Sequence, residues 1–365
     1  MLLERINELK LVETNAPDGL YRVNFGQTEH ITTNFSLPSI STDIDTAEYY
    51  VLCPEFSSSF SDGDIVFINS RRKKIIGFLC KSAKNNTVLV TEKCDNLCDF
   101  CSQPPNENSD THLFINAAQA IIEFNSKDVV GITGGEPTIN KSKFLKFIDM
   151  LNIANNNTPL HILTNGRAFS DVDFCKEVVR KTKNRDVVWG IPLHGHNQAL
   201  HDECVSSKGA FKDTVNGLIN LSYSGAYIEI RTVVTKKNYR FLKNITELIN
   251  SSFAFIPVHA IMNLEPKGWA KRNFDNLYIS ATDQISYIED CVVYSGLINQ
   301  EVVLFNYPLC TIPDNLRGSY RKSISDWKNY YPDFCDNCNE KELCGGFFVS
   351  SKGKYLDNTI ARIKL

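Results

Sequence analysis

The chain has 365 residues, of which 42% are hydrophobic and 22% charged, the balance of a globular protein rather than a disordered or fibrous one. Its 39 basic and 42 acidic side chains leave a formal charge of −3, which offers no electrostatic footprint for nucleic acid. No apolar run is long enough to mark a membrane span, and Met1-Leu2-Leu3-Glu4-Arg5 turns charged where a signal peptide would stay apolar, so a cytoplasmic chain without a membrane partner is expected.

Short alternating or apolar stretches come first: Tyr21 to Phe25, Tyr49 to Cys53, Asp64 to Asn69, Lys74 to Cys80 and Thr87 to Thr91, parted by Gly, Ser, Asp and Asn. They predict a small β-rich domain over residues 1–85, with a barrel as one form it could take. Its role is open, with peptide recognition through strand addition as one use. The basic run Arg71-Arg72-Lys73-Lys74 falls between two strands and reads as a solvated hairpin tip.

From about residue 86 strands alternate with amphipathic helices, the pattern of a parallel sheet with crossover helices. Strands are expected at Val129 to Thr133, Leu160 to Leu163, Val187 to Leu193, Tyr227 to Val234 and Ala254 to Ile261. Helices are expected at Ile115 to Phe124, Lys141 to Ile153, Asp171 to Thr182, Ala210 to Ser222 and Tyr239 to Ser251. Six βα units, two short of a closed eight-unit barrel, predict a partial barrel over residues 86–275 whose site lies at the carboxyl ends of the strands. A helix from Thr282 to Gly296 and a strand from Val302 to Phe305 lead into a last region, residues 276–365.

Twelve cysteines in a chain read as cytoplasmic argue for metal sites over disulfides. Seven fall into two groups, Cys94/Cys98/Cys101 and Cys310/Cys335/Cys338/Cys344. Cys53, Cys80, Cys175, Cys204 and Cys291 are scattered among apolar neighbours and read as small core residues. Three thiolates at C-x3-C-x2-C spacing can ligate three corners of a four-iron cluster and leave one iron open. Structural zinc is the competing reading. It normally takes four ligands, for which only His112 stands near. The C-terminal group has four thiolates, enough to close either a zinc site or a second cluster.

Behind the second strand stands Gly134-Gly135-Glu136-Pro137, two residues that permit close backbone approach beside a carboxylate able to accept bonds from an amine. Taken with the cysteine loop, this resembles the radical S-adenosylmethionine (SAM) enzymes. The resemblance implies that Cys94, Cys98 and Cys101 hold a [4Fe–4S] cluster whose open iron binds SAM. It further implies that Phe100 packs near the adenine and that Gly134, Gly135 and Glu136 take the methionine amine. Thr164-Asn165-Gly166 is similar to the family's third-strand motif. On the fourth strand Pro192 stands where many relatives have a hydroxyl residue, which leaves His194 or Asn165 to contact the ribose. Arg231 is a candidate for the SAM carboxylate, an outward salt bridge being the other reading. His196, His201 and His259 read as polar residues at the strand ends or as substrate contacts, and Glu265 and Lys267 as pocket lining.

A narrower likeness rests on Asp62-Gly63-Asp64, Leu193 through His201-Asp202, Leu264-Glu265-Pro266-Lys267-Gly268-Trp269-Ala270, Ser323 through Lys328, and Cys338 through Phe348. These stretches resemble the His-Xaa-Ser system radical SAM maturases of the HxsC type. That resemblance implies reductive SAM cleavage and modification of a small ribosomally made peptide by hydrogen abstraction. It also implies an auxiliary [4Fe–4S] cluster on Cys310, Cys335, Cys338 and Cys344. A second radical SAM maturase and an electron donor such as flavodoxin or ferredoxin are the partners that go with it. The expected architecture is therefore α/β, a partial (β/α)6 barrel between a β-rich N-terminal domain and a C-terminal auxiliary-cluster domain. Two other readings stand beside it: a radical SAM enzyme for a nucleotide or small metabolite, and a zinc-binding interaction protein.

Overall fold

The structure is a computed structural model and describes residues 8–25, 36–43, 49–325 and 328–353. Met1 to Leu3, Glu4, Arg5, Asp326 and Trp327, all used in the sequence reading, lie outside the described residues. The chain divides into two compact units: residues 1–91, 108–162 and 181–187, and residues 92–107, 163–180 and 188–365.

The first unit begins with seven strands: β1 (Glu8–Lys10), β2 (Glu13–Thr14), β3 (Gly19–Val23), β4 (Ser39–Ser41), β5 (Tyr49–Leu52), β6 (Ile65–Asn69) and β7 (Lys74–Leu79). They form one sheet in the order β1-β7-β6-β3-β4-β5-β2. Between β1 and β2, the Leu11 N–H bonds to Lys73 O at 3.0 Å and the Val12 N–H to Leu52 O at 2.9 Å. One dipeptide thus ties both ends of the sheet and closes it into the barrel form. Val23, Ile40, Val51, Val66, Ile68 and Ile75 fill its inside with Phe56 from the short helix α1 (Phe56–Ser59), and Cys53 and Cys80 belong to this core. Asp62-Gly63-Asp64 is a structural turn. Asp64 accepts the Ser61 and Lys81 N–H groups at 2.8 Å each, and Asp62 accepts Phe25 N–H at 2.8 Å. Arg71, Arg72 and Lys73 are exposed at the β6–β7 tip and Lys74 pairs with Glu8, a solvated hairpin end as its charge suggested.

The unit continues with β8 (Asn86–Thr91), α2 (Thr111–Phe124), β9 (Val130–Gly134), α3 (Lys141–Ile153) and β10 (Leu160–Leu163). β8 and β10 both pair parallel with β9. Helix α2 starts earlier than its apolar face suggests because Asp110 stands at its start, where its carbonyl accepts the Leu113 N–H at 2.9 Å. Phe144, Phe147, Ile148 and Leu151 of α3 are buried, the stripe its spacing predicts.

The chain goes on through α4 (Val172–Thr182), β11 (Val187–Pro192), α5 (Gln198–Val205), α6 (Ala210–Tyr223), β12 (Tyr227–Val233), α7 (Leu242–Ser252), β13 (Val258–Met262), α8 (Gly268–Arg272), α9 (Phe274–Leu277), α10 (Ala281–Gly296) and β14 (Glu301–Phe305). β11, β12, β13 and β14 pair in sequence order, all parallel. β14 therefore adds a parallel strand beyond the six βα units counted in the sequence. Its Val302 and Leu304 share a core with Leu242 of α7, Ile261 of β13 and Ile288 and Cys291 of α10. β13 starts at Val258 rather than Ala254, because the Phe253 and Ile256 N–H groups fold back onto Ile249 O and Phe253 O at 2.8 Å. Helix α5, hidden inside the His194-to-Asp202 motif, is capped by Asn197, whose side chain accepts the Leu200 N–H at 3.0 Å. A two-stranded ribbon, β15 (Asn329–Tyr330) with β16 (Phe347–Phe348), ends the described chain.

The class is mixed α/β with parallel strands joined by helices, as the alternation implied. Cys175, Cys204 and Cys291 are buried, so all five scattered cysteines are core residues. Among the described residues no helix is long and apolar enough to cross a membrane.

Candidate functional site

The cysteine loop, residues 92–107, belongs to the second unit. Its base is closed by Asn106, which donates from its backbone to Glu92 O at 3.0 Å and from its side chain to the Glu92 carboxylate at 2.8 Å. Above the base the loop makes two arches, and each is fastened from outside.

The first arch runs from Cys94 to Cys98. Asn165 donates from Nδ2 to Asp95 Oδ1 at 2.6 Å and accepts the Arg167 N–H at 3.0 Å. Arg167 donates from one terminal nitrogen to Asp95 O and to Asn96 Oδ1, both at 3.0 Å, and ion-pairs with Asp95 and Asp213 at 3.1 Å each. The Ser207 hydroxyl donates to Asp95 O at 2.9 Å, and the Leu97 N–H to Val205 O at 2.9 Å. So fixed, Asn96 points its N–H at Cys94 Sγ at 3.4 Å.

The second arch, Cys98 to Cys101, is held by Lys237, 2.7 Å from the Asp99 carboxylate, and by Asn273, whose amide donates to Asp99 O at 2.9 Å. The Trp269 N–H donates to Cys101 O at 2.8 Å. Gly268 has φ of 59°, and a Cβ there would stand 2.6 Å from both Cys101 O and Ser102 O. Only glycine lets the start of α8 come this close. Phe100 meets the edge of the His194 ring at a centroid distance of 4.8 Å and packs against Leu264, Ala270 and Leu277.

Burial, then the neighbouring Cys101 and Cys94 thiols, hold the Cys98 thiol well above its ordinary range. Burial likewise raises Cys101, opposed by the Gln103 N–H on its sulfur. Three soft donors that share one loop and sense one another, with backbone N–H groups aimed at two of the sulfurs, fit a thiolate-ligated cluster. Binding one would expel the protons that burial keeps on the sulfurs. Among the described residues no three His, Cys, Asp or Glu side chains stand in the geometry of a single-ion site. His112 is exposed on the first turn of α2.

The Gly-Gly-Glu motif lies in the first unit. Gly134 packs on the end of β8, where a Cβ would be 2.6 Å from Thr91 O, and the Gly135 N–H bonds to that same carbonyl at 3.0 Å. Glu136 is 1% exposed, and its Oε1 accepts the N–H of Thr138 at 2.8 Å and its hydroxyl at 2.5 Å. The carboxylate is thereby fixed in orientation. Thr91 itself donates to Asp110 at 2.5 Å, and Lys143 ion-pairs with Asp110 at 2.5 Å, which lowers the Asp110 carboxyl despite its burial.

Pro192 ends β11 opposite Arg231 of β12. Arg231 is ion-paired to Glu229 on its own strand, lies 3.3 Å from Met262 Sδ, and covers the Phe305 ring at 5.7 Å. His194, His201 and His259 are buried. Val233 N–H donates to His194 Nδ1 at 3.3 Å, His194 N–H to His201 Nδ1 at 3.2 Å, and His259 shares a 2.9 Å bond with Thr232. Burial pushes them down to about 3, about 4 and about 3, respectively. His196 bonds Asn197 at 2.9 Å and its ring faces Phe241 at 5.5 Å. Glu265 pairs with Lys328 at 3.1 Å, and Lys267 N–H closes a turn onto Glu265 O at 2.8 Å.

Cys310, Cys335, Cys338 and Cys344 line one pocket with Leu309, Tyr331 and Phe347. Burial and then the other three thiols push Cys310 up to about 12, and burial with Cys344 and Cys338 pushes Cys335 up to about 11. Cys344 Sγ accepts the Leu309 and Gly346 N–H groups at 3.3 Å each, and the Tyr320 hydroxyl accepts the neighbouring Gly345 N–H at 2.7 Å. This donor set fits a closed four-thiolate centre.

Sequence reasoning missed the clamps: Arg167, Lys237 and Asn273 stand far along the chain from the cysteines they hold. Gly268-Trp269 was visible only as part of a motif. The one local signal is Arg167 following directly on Thr164-Asn165-Gly166.

Residues 88–247 match the Radical SAM superfamily. An uncharacterized protein of Methanocaldococcus jannaschii, MJ0907, is 26% identical over 172 residues, 46% of this chain and 58% of that protein. Among solved structures, Streptococcus suis SuiB bound to S-adenosylmethionine has a TM-score of 0.47 at 15% identity, covering 62% of this chain and 52% of that one. Native anSMEcpe with bound AdoMet and Cp18Cys peptide has a TM-score of 0.46 at 16% identity, covering 60% and 63%. Coproporphyrinogen III oxidase (HemN) from Escherichia coli has a TM-score of 0.43 at 15% identity, covering 58% and 52%. The match thus spans 58% of the length of the curated relative. The family match takes in all three cysteines of the loop, Gly134 to Glu136 and Asn165.

Proposed function

We propose that this chain is a radical SAM enzyme that reductively cleaves SAM and modifies a ribosomally made peptide by hydrogen abstraction. The observation that carries the SAM chemistry is the cysteine loop: three thiols within the stretch that matches the Radical SAM superfamily, on two arches each fixed by side chains of other elements. Cys94, Cys98 and Cys101 would hold the cluster. A cluster held there would supply the electron for reductive cleavage of SAM.

The chain's own residues bind and orient. Glu136, held by Thr138, offers an oriented carboxylate to the methionine amine, with Gly134 and Gly135 forming the backbone beside it. Phe100 offers an aromatic face for the adenine and is kept in place by His194 and Leu264. Asn165 reaches SAM through the loop it clamps, by way of Asp95, rather than through a free amide. Arg231 meets a carboxylate only in exchange for Glu229. Cys310, Cys335, Cys338 and Cys344 would hold an auxiliary cluster, to which the bonds on Cys344 Sγ lend support. The peptide class rests on the likeness of Leu193 to Asp202, Leu264 to Ala270 and Cys338 to Phe348 to the His-Xaa-Ser maturases. The three parts proposed for the chain are the N-terminal barrel, the SAM domain and a C-terminal cluster region. The end strands β1 and β2 are three and two residues long and are joined where the sheet closes, so peptide recognition by the N-terminal domain would rest on side chains more than on an added strand.

Anaerobic purification tests the reading. A brown chain with about eight irons supports it, whereas colourless protein carrying zinc overturns it. Co-expression with a short peptide encoded beside the gene, followed by mass spectrometry of the peptide, tests the substrate; an unmodified peptide with an iron-loaded enzyme removes the peptide assignment alone.

A further inference from the structure

We propose that Arg167 is the positioning residue of the cysteine arch: it sets the shape of the Cys94-to-Cys98 segment and so the presentation of two of the three thiols. The inference rests on the cluster reading of the loop, and the residue lies outside both cysteine motifs.

Arg167 is 17% exposed and sits between two carboxylates. Its Nε and one terminal nitrogen reach the Asp213 carboxylate of α6 at 3.3 and 3.1 Å. The other terminal nitrogen reaches Asp95 O and Asn96 Oδ1 at 3.0 Å and the Asp95 carboxylate at 3.1 Å. A guanidinium can do this because its donors diverge in one plane; a lysine ammonium offers a point charge and cannot span the same set. If Arg167 served only to pack its own turn on α6, the pair with Asp213 would suffice. Its bonds to a loop carbonyl and to a loop amide have no such purpose.

The consequence runs through Asn96. Asn96 is 4% exposed, its side chain is held by Arg167, and its N–H donates to Cys94 Sγ. Arg167 thereby fixes the peptide group that addresses the first thiol. Charge strengthens the case: without Arg167, the Asp95 and Asp213 carboxylates lose a cation that pairs with both, and among the described residues the Asn165 amide is what remains on the Asp95 side chain. The arch then opens locally, while the base at Glu92 and Asn106 and the second arch at Lys237 stay closed.

The test uses the full-length chain with Arg167→Met, Arg167→Lys and Asp213→Asn. In the metal-free protein, the rate of Cys94 alkylation by iodoacetamide is read by mass spectrometry, with Cys335 as the internal reference. Loss of a charge-assisted clamp predicts about ten-fold faster alkylation of Cys94 in Arg167→Met, a smaller rise in Arg167→Lys, and an unchanged Cys335. After anaerobic reconstitution, the same variant should lose the three-cysteine cluster in air faster than wild type and change its EPR signal on adding SAM. Wild-type alkylation rates in a folded Arg167→Met chain overturn the proposal. So does equal acceleration at Cys94 and Cys335, which would mean general loosening. A wild-type chain that takes up no iron defeats the cluster reading and leaves the alkylation comparison to decide the clamp by itself.

Discussion

The two cysteine groups are built in opposite ways. Cys94, Cys98 and Cys101 stand on a loop shaped from outside: Asn165 is 70 residues from its partner Asp95, and Asn273 is 174 residues from Asp99. Cys335, Cys338 and Cys344 stand on turns that close on themselves, with Cys335 N–H bonded to Pro332 O, Cys338 N–H to Cys335 O and Cys344 N–H to Glu340 O. From farther off come Cys310, Tyr320 and the Arg317 pair with Glu340. A centre shaped from outside is sensitive to substitutions remote in sequence and to the protonation of buried neighbours. One shaped by its own turns is sensitive mainly to its own residues.

Acid is the strongest probe of that difference. His194, His201 and His259 are held down to about 3, about 4 and about 3 against an ordinary 6.5, so below 6.5 the unfolded chain takes up protons that the folded chain refuses. Their contribution is complete above 6.5 and is lost as pH falls toward 4, by up to about 4 kcal/mol per pH unit at the steepest. His194 supports Phe100 in the first loop, and among the described residues no histidine lines the second group. Urea midpoints should be flat above pH 7 and fall steeply below 6, with iron leaving the first group before the second. Equal release from both groups would break the comparison.

Gly268→Val should be the most damaging single change, since its Cβ meets two carbonyls and Pro104 at 2.6 to 2.8 Å in a left-handed backbone. A cost of about 3 kcal/mol is expected, with about four of the irons lost and four retained if each group holds one four-iron cluster. Gly268→Asn tolerates the backbone but keeps the collision, so it should fail too; wild-type iron in Gly268→Asn would count against the close approach.

Tyr320→Phe acts on the other group. It leaves the Gly345 N–H, 2.7 Å from the Tyr320 hydroxyl oxygen and next to Cys344, without its acceptor. The expected loss is about 2 kcal/mol in melting, with a shifted potential for the C-terminal centre and an unchanged SAM-dependent EPR signal from the first. Smallest is Lys237→Met, which unpairs Asp99 in a partly exposed setting. It should cost about 1 kcal/mol and weaken the second arch without affecting Cys335.

What was legible in the sequence follows the same division. The C-x3-C-x2-C loop, Gly134 to Glu136 and the four C-terminal cysteines could be picked out because residue type and spacing carry the chemistry. The helical stripe of α3 and the strands β5 to β8 were legible by periodicity. The clamps were not, because a single Arg167, Lys237 or Asn273 gains meaning only when the fold brings it to the loop. Helix α5 was missed because His201 drew it into a motif, though Asn197 at its cap and the apolar Leu200, Cys204 and Val205 were there to read. The early start of β13 failed for a plain reason: residues after α7 spend their backbone bonds on a turn before Pro257.

The most direct test is dithionite-driven SAM cleavage by the anaerobically prepared full-length chain, with a Cys94→Ala/Cys98→Ala/Cys101→Ala variant and a Cys335→Ala/Cys338→Ala variant alongside. The account predicts 5′-deoxyadenosine from the wild type and none from the triple variant, with the double variant still cleaving SAM at the first group. 5′-Deoxyadenosine from the triple variant, or none from an iron-loaded wild-type chain, would contradict it.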